Sequence, residues 1–419
     1  MTHYFRYSVS EIAEAIKSKN ITAIDLMESL IDCINLRESE LNVWAYFDRE
    51  YALVLADKAH KNLLKDPNSV GPLHGVPFGV KDIFFTKGIN TECGSKIFKG
   101  FVPSYNSEAV SRLQRSGAIN IGKTVTTEFA GLDPSITLNP WNRNHTPGGS
   151  SSGSAVGVSV GMIPFSLGSQ TGGSVLRPAS YNGVVGFKPT YGIISRFGVM
   201  PLAWSLDTIG IFSKYAKDLP LLFDVLAGYD SRDKGSVKIL RKKYLFQKRL
   251  EKPPKIGILR THFFEKANRD VIENANLAIN KFDYAGAEIV DLTVDFSYED
   301  VLNMHKVLMF VEGASVHQKN YQKRPNDYGD KMGELIETGL MTSGVAYVQA
   351  QKFRRFVKDQ LLEKMKEFDF ILTPSTPSAA TDISTTGDAS FQSPWTYVGF
   401  PTITVPSGVD NNGLPLGIQ

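Results

Sequence analysis

Apolar positions recur along the first 65 residues with the spacing of helices. At Ser8 and Glu11, and again at Thr22 and Asp25, a hydroxyl stands three residues ahead of a carboxylate. Each pair marks a helix start, because its side-chain oxygens can serve the unpaired N–H groups of a first turn. In the second helix Ala23, Leu26, Met27, Leu30, Ile31 and Ile34 fall at i, i+3, i+4, i+7, i+8 and i+11, which predicts one apolar face packed on a core. Cys33 lies on the flank of that stripe and reads as filler. From residue 71 the pattern changes to short apolar runs separated by Gly, Pro and Ser, as expected of buried strands in a large mixed sheet whose chemistry is carried on loops. Residues 106–116 read as a helix stopped at Gly117 and followed by a strand at 118–121. A strand at 255–259, a helix ending at Tyr284 and a strand at 287–291 make a second β-α-β pattern. No internal repeat is evident.

Composition narrows the class. The 419 residues suit two or three ordinary domains or one large α/β domain. Hydrophobic residues at 42% and charged residues at 21% exclude disorder, collagen-like repeats and coiled coil as the main character of the chain. A formal charge of +3, from 46 basic and 43 acidic side chains, is too small to argue for nucleic acid or an anionic membrane. Two cysteines, Cys33 and Cys93, permit at most one disulfide, and thiols in a reducing compartment are the simpler reading. The first ten residues lack a basic segment followed by an apolar one, and no run of about 18 apolar residues occurs, so a cytoplasmic protein is expected. Nine basic residues crowd 234–255 before and around Pro253-Pro254; a solvated linker between two lobes explains them without a nucleic-acid partner.

The densest small-residue run is Pro147-Gly148-Gly149-Ser150-Ser151-Ser152-Gly153-Ser154, followed by Gly168-Ser169-Gln170-Thr171-Gly172-Gly173-Ser174, so two Gly-Gly-Ser turns lie 24 residues apart. Glycines let backbone approach a ligand, and successive free N–H groups in such turns make anion nests. Upstream, Gly75-Val76-Pro77-Phe78-Gly79-Val80-Lys81-Asp82 ends an apolar strand on a lysine whose stem can be buried. Together with Gly183-Val-Val-Gly-Phe-Lys-Pro-Thr190 and Asp207-Thr-Ile-Gly210, these segments resemble the amidase signature family over nearly the whole chain, most weakly at 236–368. The wording is closer to simple bacterial amidases than to the A subunit of glutamine-dependent transamidases, and Thr386-Gly-Asp388, Phe391, Trp395-Thr396, Gly399-Phe-Pro401 and Gly413-Leu-Pro-Leu-Gly-Ile-Gln419 point to the same branch.

That resemblance implies an α/β fold, one large domain with a mixed central sheet covered by helices on both faces. It would divide into a helical part at 1–65, a signature core at 71–235, a variable helical region at 236–368 and a return to the core at 369–419. It implies a Ser-cis-Ser-Lys triad, with Ser174 the nucleophile, Ser150 the bridging serine after a cis peptide and Lys81 the base. Thr171, Gly172, Gly173 and Ser174 would supply oxyanion-binding N–H groups, each worth about 3 to 4 kcal/mol in acyl transfer. An unperturbed lysine titrates near 10.4, whereas a base poised near 7 to 8 is required. Burial must therefore work against the charged form by roughly 4 kcal/mol. Ser151, Gln170, Phe391 and Trp395 are candidate substrate contacts, although Phe391, Trp395 and Tyr397 read equally well as aromatic core. The expected activity is hydrolysis of a small or medium carboxamide through a Ser174 acyl-enzyme, without metal or organic cofactor. The alternatives are the A subunit of a glutamine-dependent amidotransferase, releasing ammonia for a partner, and a noncatalytic homologue.

Two motifs mislead. Gly117-Ala-Ile-Asn-Ile-Gly122-Lys123-Thr124 fits G-x-x-x-x-G-K-[ST], but its four intervening residues are themselves a strand, so no phosphate loop is expected. Gly149-Ser-Ser151-Ser-Gly153 fits G-x-S-x-G without a preceding strand. His145, His262, His305 and His317 carry no local signature, and metal spacing is absent. Departures from the family's common wording are Ser152 for glycine, Gln170 for aspartate, and Arg177 with Leu176 at the usual arginine position. The sequence stops at Gln419, where the resembled family usually continues through another strand and helix. A homodimer contact or partner chain is expected to cover the flank so exposed.

Overall fold

The structure is a computed structural model that describes residues 4–238 and 252–419. The segment 239–251, which carries most of the basic linker predicted from the sequence, lies outside the described residues. Both expected helix starts carry complete capping boxes. Ser8 opens α1 (Val9–Lys17) with its hydroxyl on the Glu11 N–H, and Thr22 opens α2 (Ala23–Leu41) with its hydroxyl on the Asp25 N–H. The six apolar positions of α2 are all buried, and Leu26 is fully so. Leu26→Ala should cost about 3 kcal/mol of unfolding free energy through lost burial and an incompletely closed cavity, measurable as a lowered denaturant midpoint with unchanged slope.

The main sheet has eight strands. They are β1 (Trp44–Phe47), β2 (Pro77–Lys81), β3 (Ile119–Thr124), β4 (Phe165–Gln170), β5 (Val185–Lys188), β6 (Thr208–Ser213), β10 (Thr402–Val409) and β11 (Pro415–Ile418), in the order β1-β3-β2-β4-β6-β5-β10-β11. β7 (Lys255–Ile258), β8 (Glu288–Asp291) and β9 (Phe370–Leu372) form a parallel three-stranded sheet, β8-β7-β9. The centre of the main sheet, β3-β2-β4, is parallel and the rest antiparallel. Between the strands run α3 (Arg49–Lys65), α4 (Glu108–Arg115), α5 (Ser152–Ser159), α6 (Leu176–Asn182), α7 (Leu219–Leu226) and α8 (Arg269–Tyr284). After β8 come α9 (Tyr298–Lys323), α10 (Asp330–Met341) and α11 (Gly344–Lys364), then α12 (Ser393–Tyr397) beyond β9.

Both faces of the main sheet are covered. One core joins Phe78 and Val80 of β2 and Phe165 and Leu167 of β4 to α1, α4 and α7; the other joins Ile119 and Ile121 of β3 to α2, α3 and α5. This is a single α/β domain with a large mixed sheet between helices. No described helix is long and apolar enough to cross a membrane.

The edge of the main sheet at its last strand is paired within this chain. The far edge of β11 pairs with the segment that follows β9, through Ser375 N–H to Gly417 O at 2.9 Å and reciprocal bonds between Thr373 and Gln419 at 2.9 and 2.8 Å. All four residues of β11 are buried, and the two sheets join through this seam.

The phosphate-loop pattern at Gly117–Thr124 is resolved as expected, with Gly122 and Lys123 inside β3. The Lys123 ammonium is buried against Asp82 at 3.0 Å.

Candidate active site

The parallel centre of the sheet brings the candidate residues to one end. β2 ends at Lys81, whose Cα pairs with Thr124 of β3, while Val80 pairs with Leu167 of β4. β4 therefore delivers Ser169 and Gln170 beside the lysine. Lys81 is wholly buried. Its Nζ donates to Ser150 Oγ at 2.6 Å and to Ser169 Oγ at 2.9 Å. Burial pulls its pKa down to about 7, opposed by the charge of Asp207 and by Cys93. Among the described residues no carboxylate lies within ion-pair distance of it. Ser150 follows a cis Gly149–Ser150 peptide and begins the turn into α5.

Ser174 follows the Thr171-Gly172-Gly173 turn at the foot of α6. Its residue is only 8% exposed, yet it borders a cavity of about 390 Å3. Among the described residues Ser174 Oγ has no hydrogen-bond partner within the protein. The structure thus joins Lys81 to Ser150 directly, and Ser174 has no hydrogen bond to either among the described residues. Three residues on from Ser174, Arg177 Nη2 donates to the Gly149 carbonyl at 2.7 Å, and to Thr386 Oγ1 at 3.2 Å.

The turn itself is anchored by its carbonyls. Thr171 O accepts from His305 Nε2 at 2.8 Å, Gly172 O from Thr396 Oγ1 at 2.7 Å, and Gly173 O from the Arg177 N–H at 2.9 Å. A planar trans peptide directs its C=O and N–H oppositely, so these anchors turn the N–H groups of Gly172, Gly173 and Ser174 the other way. Among the described residues no protein acceptor takes the N–H of Thr171, Gly172, Gly173 or Ser174. Consecutive unpaired N–H groups of this kind attract an anion or a developing oxyanion. Thr171 Oγ1 also donates to Asp207 at 2.5 Å. Asp207 is held in turn by the Leu202 and Ala203 N–H groups at 2.8 and 3.0 Å, and burial raises its pKa.

The cavity wall pairs apolar Leu132, Leu302, Met309 and Phe310 with polar Arg177, His305 and Asp388. Arg177 is 4% exposed. Burial lowers its pKa, partly offset by Tyr181 and Asp388, and its Nε has no partner. His305, which carried no sequence signature, is buried with its pKa pushed down to about 4. Its ring is therefore neutral, with the proton on the nitrogen that faces Thr171 O.

All four expected substrate contacts lie away from the cavity wall. Ser151 is buried, with its Oγ donating to Ser169 O at 3.2 Å. Gln170 is fully buried behind the turn. Phe391 and Trp395 belong to an aromatic core with Phe263, against which Trp395 stacks at 5.7 Å and 11°. The physical reason is burial: these side chains pack or hydrogen-bond inside the protein, although the Trp395 Nε1 is left without a partner. Asp207, Thr386 and Asp388 lie in segments that carry the family resemblance but are given no role there; Ser169 and His305 are not singled out by the sequence. Ser169 had a further findable signal, since the parallel register of β2 and β4 brings the end of β4 beside Lys81. Among the described residues no group of three or more His, Cys, Asp and Glu side chains could hold a metal ion.

Comparison with known proteins shows the family and the fold. A family model described as "Amidase" matches residues 25–419. The A subunit of the glutamyl-tRNA(Gln) amidotransferase of Lachnospira eligens is 35% identical over 99% of this chain and 94% of its own length. Seven further relatives, 31–33% identical, carry the same name. The expected affinity with simple bacterial amidases rather than with these amidotransferase components is therefore not supported. Among solved structures, one described as a vestigial protein complex revealing the origins of an s-triazine catabolic enzyme superposes with a TM-score of 0.91. It is 27% identical and covers 99% of this chain and 94% of that one. The peptide amidase of Stenotrophomonas maltophilia superposes with a TM-score of 0.87 at 25% identity, covering 99% and 93%.

Proposed function

The chain belongs to the amidase family, whose members hydrolyse carboxamide C–N bonds, and from that premise we propose that it cleaves an amide bearing a carboxylate through an acyl-enzyme on Ser174. The observation that carries the reading is Lys81, buried, free of any carboxylate partner among the described residues and 2.6 Å from Ser150 Oγ. With its pKa near 7, a substantial fraction of Lys81 is neutral at physiological pH. Its lone pair takes the Ser150 proton along that line while Ser150 takes the Ser174 proton, and Ser174 Oγ attacks the amide carbonyl. The oxyanion forms against the N–H groups of 171–174. On collapse the C–N bond breaks and the proton passes back through Ser150 to the leaving nitrogen; water then hydrolyses the ester by the same route.

Arg177 supports the choice of substrate. A guanidinium buried without a carboxylate within ion-pair distance is costly, and one facing a cavity beside the nucleophile favours an anionic ligand. Glutamine, with its α-carboxylate, falls in this class. The names of the sequence relatives therefore favour a second reading, an amidotransferase component that releases ammonia from glutamine for a partner protein.

Intact-mass spectrometry tests the reading. A fluorophosphonate should add one adduct to the parent and none to Ser174→Ala. Among amides offered, those with a carboxylate, glutamine included, should release ammonia fastest. Ammonia released from glutamine only when a partner protein is added would select the second reading, and absence of any adduct on the parent would overturn both.

A further inference from the structure

We propose that Gln170 and Thr396 are positioning residues that aim the oxyanion-binding turn, an inference that rests on the Ser174 reading. Gln170 ends β4, immediately before the turn, and both residues are buried. The amide of Gln170 is used at both ends. Its Oε1 accepts the N–H groups of Val175 at 2.9 Å and Leu176 at 3.0 Å, the first turn of α6. Because Oε1 is thus fixed as the acceptor, Nε2 must be the donor, and it donates to Thr396 Oγ1 at 2.9 Å. A hydroxyl that receives that bond is left with its own proton to give, and Thr396 Oγ1 gives it to Gly172 O at 2.7 Å.

The consequence is directional. With the Gly172 carbonyl pulled toward Thr396, the Gly173 N–H of the same planar peptide points away from it. One buried glutamine therefore ties the start of α6, just after Ser174, to the peptide that presents an oxyanion donor. An aspartate at 170 could accept the two α6 N–H groups but could not donate to Thr396. That gives a physical content to the glutamine found in Gly168-Ser169-Gln170-Thr171. Preorganised donors of this sort act on the transition state more than on substrate binding.

The test is the rate of phosphonylation of Ser174 by a fluorophosphonate, resolved into the limiting rate constant and the half-saturating concentration. Thr396→Val should lower the limiting rate about tenfold and leave half-saturation unchanged, while the two buried groups it leaves unpaired lower the thermal midpoint of a protein that still folds. Thr396→Ser, which keeps the hydroxyl, should stay within twofold of the parent. Gln170→Glu, which still accepts from α6 but cannot donate to Thr396, should fall as Thr396→Val does. The double variant Gln170→Glu/Thr396→Val should be no slower than Thr396→Val alone, since the two act in series. A folded Thr396→Val that reacts within twofold of the parent overturns the inference, as does a Thr396→Ser loss equal to that of valine. Where Thr396→Val does not fold, Gln170→Glu decides by the same criterion. A parent that takes no label overturns the Ser174 reading itself, which is a distinct result from a labelled parent with an unaffected valine variant.

Discussion

Replacing Lys81 by methionine is expected to slow Ser174 acylation about 10³-fold, the ordinary scale of a lost general base, while leaving the protein folded. Methionine matches the buried stem and removes the amine that contacts Ser150 and Ser169. In the parent, acylation should rise with pH and level off above about 7, where Lys81 becomes neutral; a lysine of ordinary pKa would keep the rate climbing toward about 10. In Lys81→Met that inflection should vanish. Lys188, also buried and also lowered to about 7, bonds the Phe400 carbonyl, so an inflection that survives in Lys81→Met would assign the titration elsewhere.

The same titration has a thermodynamic signature. The folded pKa of Lys81 lies below its unfolded value, so between about 7 and 10.5 the unfolded chain binds the extra proton. Parent stability should therefore climb relative to Lys81→Met across that window, by about 1.4 kcal/mol per pH unit at most, and run parallel to it below about pH 7. Denaturant midpoints of the two proteins at about pH 6, 7.5 and 9 read this directly. A constant difference would mean that the amine is not held neutral by burial, and the base assignment would fall with it.

The burial of such a residue was legible in sequence because it is written locally, whereas its role as base came from the family resemblance. An apolar strand ending on lysine predicts burial, and burial dictates the direction of the shift. The capping boxes at Ser8 and Thr22 and the stripe of α2 were legible for the same reason, since each depends on residues within three turns of one helix. Gln170 was not. Its position inside a glycine-rich reactive run suggested a substrate contact, whereas its partners are the α6 N–H groups and Thr396, 226 residues away. Phe391 and Trp395 failed likewise: an aromatic near a reactive segment and one in a core look alike until Phe263 is seen to pack against both. His305 belongs to a helix whose sequence most weakly resembles the family, and only its reach to Thr171 O gives it meaning.

Arg177→Met is expected to cut kcat/KM for a carboxylate-bearing amide about 10²-fold while changing that for a neutral amide of equal size by a few-fold. Truncating one partner of a buried, hydrogen-bonded charge pair typically costs about 3 kcal/mol, and the loss should appear only where the substrate supplies the second charge. The arginine also donates to Gly149 O and Thr386 Oγ1, so its removal carries a structural cost shared by every substrate; the ratio between the two substrates cancels that shared part. Asp388, which borders the same cavity, gives the ratio a second lever, since Asp388→Asn removes a negative charge suited to a substrate ammonium. An amino-acid amide should lose rate in both variants, and a simple carboxylate amide only in Arg177→Met. Equal losses for charged and neutral amides in Arg177→Met would confine Arg177 to holding the Gly149 turn and leave the anionic-substrate reading without its support.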